Sequence, residues 1–257
     1  MKPVIRTACG LFATLLVACG CVASEGSLLV VRPDGAWPPW EMVVNGEPAG
    51  IHLEMVQSVS KALGVPLVIR SYPWLRAIRM LKQGEADAIT YMSRTAEREQ
   101  FGYFMDGNIL SSTRIGLFIL KSNEGRLSFS GDLSSLKGYA LGTCRGFSYG
   151  EMFDNASFLD KDDGAADEYA LLKMLAAGHV QIAVGYVGDM KFAAEKLGMS
   201  DNVSLLSPVL SERRDLYLVF SKARQHQELA RRFSEAMKAY KQKPEYRELL
   251  RKYGVSE

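Results

Sequence analysis

The stretch Gly84-Glu85-Ala86-Asp87-Ala88-Ile89-Thr90-Tyr91-Met92-Ser93-Arg94-Thr95-Ala96-Glu97-Arg98 decides the fold. Gly84 closes a helix, as glycine does where the chain must turn left-handed. Ala86 to Tyr91 is a short apolar run bounded by turn residues, the mark of a buried strand. Ser93 then stands at the strand end, and Arg98, five residues on, falls one turn into another helix. Working backwards, Trp74 to Gln83 is helical, with Leu75, Ile78 and Leu81 expected inward and Arg76, Arg79 and Lys82 outward. Val65 to Arg70 is a strand that Pro66 confines to an edge or a strand start. Ile51 to Leu63 places Leu53, Val56, Val59 and Leu63 on one helical face, and Gly64 ends it. Ser27 to Arg32 is the first strand. The first half of the chain is thus a strand-helix-strand-helix-strand unit.

Forward of Arg98 the same unit recurs. Tyr139 to Thr143 is a strand, Tyr169 to Ala177 a helix with Leu171, Leu172 and Leu175 inward, Val180 to Tyr186 a strand and Met190 to Leu197 a helix. Thr113 to Lys121 is one long strand suited to crossing between two lobes, and Leu216 to Ser221 carries the chain back. Helices over Gln225 to Gln242 and Glu245 to Tyr253 finish it, with Pro244 in a first turn where its missing N–H costs nothing. The expected class is therefore α/β: two α/β lobes, two crossover strands and a central ligand cleft. The parts fall at 24–112 and 213–257 for the first lobe and 113–212 for the second.

The remaining signals exclude function classes. Met1 to Arg6 carries Lys2 and Arg6 without an acid, and an apolar run follows from Thr7 to Ala18, so residues 1–23 read as a secretion signal. Leu16-Val17-Ala18-Cys19 resembles a lipobox with Cys19 lipidated, while Cys21-Val22-Ala23 before Ser24 also suits ordinary cleavage. Of 31 basic residues, Lys2 and Arg6 leave with the signal, so 29 face 29 acids. A near-neutral chain without a basic stripe is not built for nucleic acid. Cys144 alone lies in the folded body, and the three histidines are far apart, so neither a disulfide framework nor a metal site is expected. No cofactor is expected, and the chain reads as a monomer.

From about Leu29 to Gly254 the chain resembles the family 3 extracellular solute-binding proteins, on five segments in family order. These are Asp34-Gly35-Ala36-Trp37-Pro38-Pro39-Trp40; Gly50-Ile51 with the helix after it; Gly84 to Asp87 followed by Ser93, Thr95 and Arg98; Leu136-Lys137-Gly138 with Leu141-Gly142 and Arg145-Gly146-Phe147-Ser148; and Lys252-Tyr253-Gly254. The resemblance implies a type II periplasmic-binding-protein-like fold. It implies an exported binder that captures a small polar solute and hands it to an inner-membrane ABC permease, performing no chemistry. Cyclohexadienyl dehydratases resemble the same family, and an enzyme would draw its acid from Glu151, Glu168 or Asp34. A capture module for a sensor shares every cleft residue.

The residues implied to line the cleft are Asp34, Trp37, Trp74, Tyr91, Ser93, Arg98, Phe147, Ser148 and Tyr186. A guanidinium grips a carboxylate through two parallel N–H bonds, so Arg98 beside Ser93 suits an anionic group, with a helix N-terminus in support. On residues alone Arg98 is as readily a surface arginine paired with Glu97 or Glu99. Trp37 and Trp74 offer flat walls, and Trp40 more simply fills core. Asp34 either meets a cationic group or only caps its turn. Tyr186 stands where amino-acid binders usually carry an Asp for the ligand's ammonium, and Tyr91 and Phe147 replace smaller residues. Common amino acids are therefore expected to bind poorly unless Asp34 or Asp189 supplies the missing acid.

Overall fold

The computed structural model describes residues 26–255, so the secretion signal and Cys19 lie outside the described residues. In chain order the elements are β1 (Leu28–Pro33), β2 (Met42–Val44), β3 (Glu47–Ala49), α1 (Ile51–Ala62), β4 (Leu67–Tyr72), α2 (Trp74–Gln83), β5 (Ala88–Ser93), α3 (Ala96–Glu99), β6 (Gly102–Tyr103) and β7 (Ile109–Leu120). There follow β8 (Ala140–Cys144), α4 (Glu151–Asp154), β9 (Asp160–Ala165), α5 (Glu168–Ala176), β10 (Ile182–Tyr186), α6 (Val187–Lys196), β11 (Val203–Leu205), β12 (Ser211–Ser221), α7 (Gln227–Lys241) and α8 (Pro244–Lys252).

Hydrogen bonding runs β4-β1-β5-β12-β7-β10-β8-β9. The triplet β4-β1-β5 is parallel, and so is β10-β8-β9. In each the strand that comes first in sequence sits in the middle, so the second lobe repeats the topology of the first. Between them β12 and β7 pair antiparallel, with Asp215 opposite Ser112 and Leu216 opposite Ser111. These are the two crossing strands, and β7 starts earlier than expected, at Ile109. The fold is the expected α/β, periplasmic-binding-protein-like one.

Sequence chemistry explains the boundaries. Gly84 adopts φ 75° and closes α2, while Gly64 adopts φ 69° after α1. Pro66 precedes β4, which lies at the sheet edge, and its carbonyl accepts from Leu28 N–H at 2.7 Å. Pro244 opens α8 in the first turn. The first lobe buries α1 and α7 against β1 and β12, with Phe220 on Phe233 at 5.1 Å between centroids. The second buries Leu171, Leu172 and Leu175 of α5 against Cys144 and Ala183. Each such apolar side chain contributes about 1.5–3 kcal/mol.

One expectation fails on α2. Its buried face is Ala77, Met80 and Leu81, while Leu75 is 48% exposed. The face holding Leu75 and Ile78 is turned towards the second lobe, where both line a groove with Gly146 and Phe147. Apolar spacing marks a face that faces something, and here that is another lobe, not its own sheet.

Candidate functional site: the cleft between the lobes

Tyr91 organises the cleft. Near the end of β5 it takes φ 63°, a left-handed conformation that costs a non-glycine residue about 1–2 kcal/mol. Its ring stacks on Trp37 at 4.9 Å and 18° and tilts against Tyr186 at 6.2 Å. Trp37 is fixed by a tight turn in which its N–H and carbonyl both pair with Glu41. From this platform one donor crosses to the second lobe. Tyr91 O–H donates to Asp189 Oδ2 at 2.5 Å, while the Trp37 indole faces the Glu168 carboxylate and opposes the rise of its pKa. Both acids are buried. Burial raises both above the usual carboxylate range, Glu168 to about 7, and Glu168 adds repulsion on Asp189.

Arg98 holds the other end. It is buried, not paired with Glu97 or Glu99; Glu99 pairs with Arg94 instead. Its Nη1 donates to Ser93 O at 2.8 Å and Ser93 Oγ at 2.7 Å, and Nη2 donates across the cleft to Gly146 O at 2.9 Å. Trp74 Nε1 donates to the same carbonyl at 2.9 Å, with the guanidinium 5.5 Å from its ring. Burial lowers the Arg98 pKa, Tyr186 opposes that shift, and Arg214 adds to it. The helix expected to support an anion here is the single turn α3, too short for a macrodipole argument. Thr95 caps it by accepting from Arg98 N–H.

The second lobe supplies the facing wall. Tyr186 O–H reaches Ser148 O at 3.3 Å and Ser93 Oγ at 3.5 Å. Ser148 Oγ donates to Asp154 Oδ2 at 2.6 Å and accepts from Arg214 Nη2 at 3.0 Å. Phe147 sits 5.9 Å from both Trp74 and Tyr186. The structure thus brings together eight of the expected residues: Trp37, Trp74, Tyr91, Ser93, Arg98, Phe147, Ser148 and Tyr186. Asp34 is not among them; it is exposed at the end of β1, with its backbone N–H on Tyr72 O. The gap left among Pro33, Trp74, Tyr91, Arg98, Phe147 and Tyr186 is about 10 Å³. Outside it, a groove of about 730 Å³ runs past Arg98, Ser148 and Leu75.

Several contributors were not read from sequence. Arg214 and Asp154 meet at Ser148 only through long-range folding. Behind Tyr91 lies a buried chain: Arg32 Nε donates to Glu41 Oε2 at 3.1 Å, Thr90 Oγ1 donates there at 3.0 Å, and His52 Nδ1 pairs with Oε1 at 3.1 Å. Burial pushes Glu41 up, but His52, Arg32 and Thr90 together hold it below the usual carboxylate range. The one available signal was an arginine inside the apolar strand Leu28–Pro33. Trp40, expected as filler, stacks on His52 at 5.3 Å.

Residues 29–256 match the sequence profile of the bacterial extracellular solute-binding proteins, family 3. The chain belongs to this family. Solved family 3-like structures agree in fold. The arginine-, lysine-, histidine-binding protein ArtJ from Geobacillus stearothermophilus shares 18% identity at TM-score 0.70, covering 90% of this chain and 96% of that one. An ancestral arginine-binding protein bound to glutamine shares 20% at TM-score 0.71, covering 90% and 99%. A histidine kinase sensor domain similar to periplasmic binding proteins shares 20% at TM-score 0.73, covering 90% and 98%. At these identities the likeness shows the fold alone. No curated protein matches this chain in sequence. Membership of this extracellular family makes this an exported chain. Among the described residues no helix is long and apolar enough to cross a membrane.

Proposed function

We propose that this protein captures a small polar solute with an anionic group, an amino acid or a close analogue, and presents it to an inner-membrane ABC permease. The observation that carries the reading is Arg98: a buried guanidinium anchored on both Ser93 oxygens that reaches a carbonyl of the opposite lobe. A bound carboxylate takes the place of Gly146 O on Nη2 when the cleft opens, gaining two parallel charge-assisted bonds. Ser148 and Tyr186 then close on the solute from the second lobe, and Trp37, Tyr91, Trp74 and Phe147 cover its body. Only a ligand touching both lobes shifts the equilibrium towards closure. The strands β7 and β12 act as the hinge between 24–112 with 213–257 and 113–212. A thermal-shift screen of amino acids, organic acids and amines tests it, since a solute at a hundredfold excess over its Kd adds about 2.7 kcal/mol.

A second reading is supported by the likeness to a histidine kinase sensor domain. The same cleft then reports solute to a receptor instead of a permease. In either case Cys19 is the proposed lipid anchor, and Cys19→Ser is expected to release the protein into the soluble periplasmic fraction. Wild-type protein already soluble there with Ser24 first contradicts the anchor.

A further inference from the structure

Arg214, on the crossing strand β12, is a second guanidinium beside Arg98. Its Nη2 donates to Arg94 O at 2.9 Å on the first lobe and to Ser148 Oγ at 3.0 Å on the second. Its Nε is buried and has no hydrogen-bond partner among the described residues. A bare buried N–H on a charged group is costly. The acids around it are engaged elsewhere: Asp215 pairs with Arg213, Glu99 pairs with Arg94, and Asp154 accepts from Ser148 Oγ and Tyr149 N–H. Arg98 and Arg214 are close enough that Arg214 lowers the Arg98 pKa, and both act on the Tyr186 hydroxyl. In the closed cleft each guanidinium ends on an oxygen of one second-lobe turn, Arg98 on Gly146 O and Arg214 on Ser148 Oγ. The groove of about 730 Å³ opens past Arg98 and Ser148.

We infer that Arg214 is a second anion-gripping residue of this cleft, so that the solute carries two anionic groups a few carbons apart, one on Arg98 and one on Arg214. This second grip rests on the proposed cleft-binding function and narrows its solute class to a dicarboxylate. When opening withdraws Ser148, Arg214 Nη2 loses one acceptor while Nε already lacks one. Nε and Nη2 form the side-on fork of a guanidinium. A carboxylate spans both with two parallel bonds, where the Ser148 hydroxyl engages only Nη2. The two oxygens that the anionic groups replace belong to residues 146 and 148, and two residues of chain span at most about 7 Å. One short solute therefore reaches both arginines. Two guanidiniums side by side repel, and a solute with two negative groups relieves that repulsion better than one with a single charge.

Calorimetry on the full exported protein with two near-isosteric pairs, glutarate against its monoamide glutaramate and L-glutamate against L-glutamine, isolates the second charge. Wild type is expected to bind the dicarboxylate of a pair at least about tenfold more tightly than its amide. Arg214→Gln, checked for folding by circular dichroism, is expected to erase that difference, and Arg214→Lys to keep only part of it. An arginine with a purely structural role would move both members of a pair alike. Arg98→Ala is expected to weaken dicarboxylate and amide together. Equal affinity within each pair for wild type overturns the second grip and leaves Arg98 standing. So does a dicarboxylate preference that survives in Arg214→Gln. Failure of both dicarboxylates to bind wild type overturns it too. Arg98→Ala without effect on either amide counts against the Arg98 grip alone.

Discussion

Tyr91 in the first lobe and Asp189 in the second are joined by a 2.5 Å hydrogen bond, and Tyr91 makes it from a left-handed backbone at φ 63°. The strained residue is the one that reaches across. Strain of this kind persists only where surrounding contacts over-determine it, here the Trp37 stack and the Asp189 bond. Parting the lobes removes the second of these.

Tyr91→Phe keeps the stack and deletes the bond, leaving Asp189 buried without its donor. It is expected to cost about 1–3 kcal/mol of stability and to shift the protein towards an open form. Thermal melting and the radius of gyration from X-ray scattering read the two effects. Unchanged values in both would show that the bond does not hold the lobes together.

Burial raises Glu168 from an ordinary 4.5 to about 7 in the closed cleft. An open cleft rehydrates the carboxyl and returns it towards 4.5, so the closed form binds the proton more tightly. Closure is therefore most favoured below about 4.5, weakens as pH climbs from there to about 7, and levels off above. Asp189, raised in the same direction, adds to the trend. Scattering at pH 5 and pH 8 is expected to show a larger radius at the higher pH, and Glu168→Gln is expected to flatten that difference.

Much of the fold was legible in the sequence because glycines and prolines punctuate it. Gly64, Gly84 and Gly178 end helices at left-handed φ, and Pro244 starts one, so the helix-strand order followed directly. β2, β3 and β11 span three residues each, too short for a periodicity to register, and β9 carries Ala165 as its single apolar side chain. Arg98 and Ser93 were legible through their motif. The bond from Tyr91 to Asp189 was not, because it joins residues from different lobes and no local pattern encodes that contact. Leu75 was misplaced for a related reason: a periodic apolar face does not say which neighbour it meets.

Gly146 sits at φ 75°, and a Cβ there would overlap Leu75 Cδ2 of the opposite lobe. Gly146→Ala is expected to cost about 1 kcal/mol from backbone strain and to hold the lobes apart. It should weaken solute binding chiefly by slowing closure, a drop in association rate that stopped-flow fluorescence of Trp37 and Trp74 records. Wild-type rates would remove Gly146 from the closing surface.

Glu41 is the shared partner of Arg32 and His52 in a fully buried network. Glu41→Gln strands the arginine charge and is expected to destabilise the protein by about 3–5 kcal/mol. Because Glu41 is held below its ordinary value, its contribution is present above 4.5 and is lost as pH falls through the lowered value. Urea unfolding of wild type and variant, repeated at pH 7 and pH 3, is expected to converge at the lower pH. A constant gap would place the stabilisation elsewhere.

Arg98 is proposed to grip the anionic group of a cleft-bound solute. Isothermal calorimetry of wild type, Arg98→Ala and Arg98→Lys, titrated with the strongest hit of the thermal-shift screen, tests it most directly. Arg98→Ala is expected to weaken binding by about 2–5 kcal/mol, because the solute's charge is left buried and unpaired. Arg98→Lys is expected to recover only part of that loss, since a point charge cannot reproduce the two-pronged bond. Affinities within a few-fold of wild type in both variants would contradict the account.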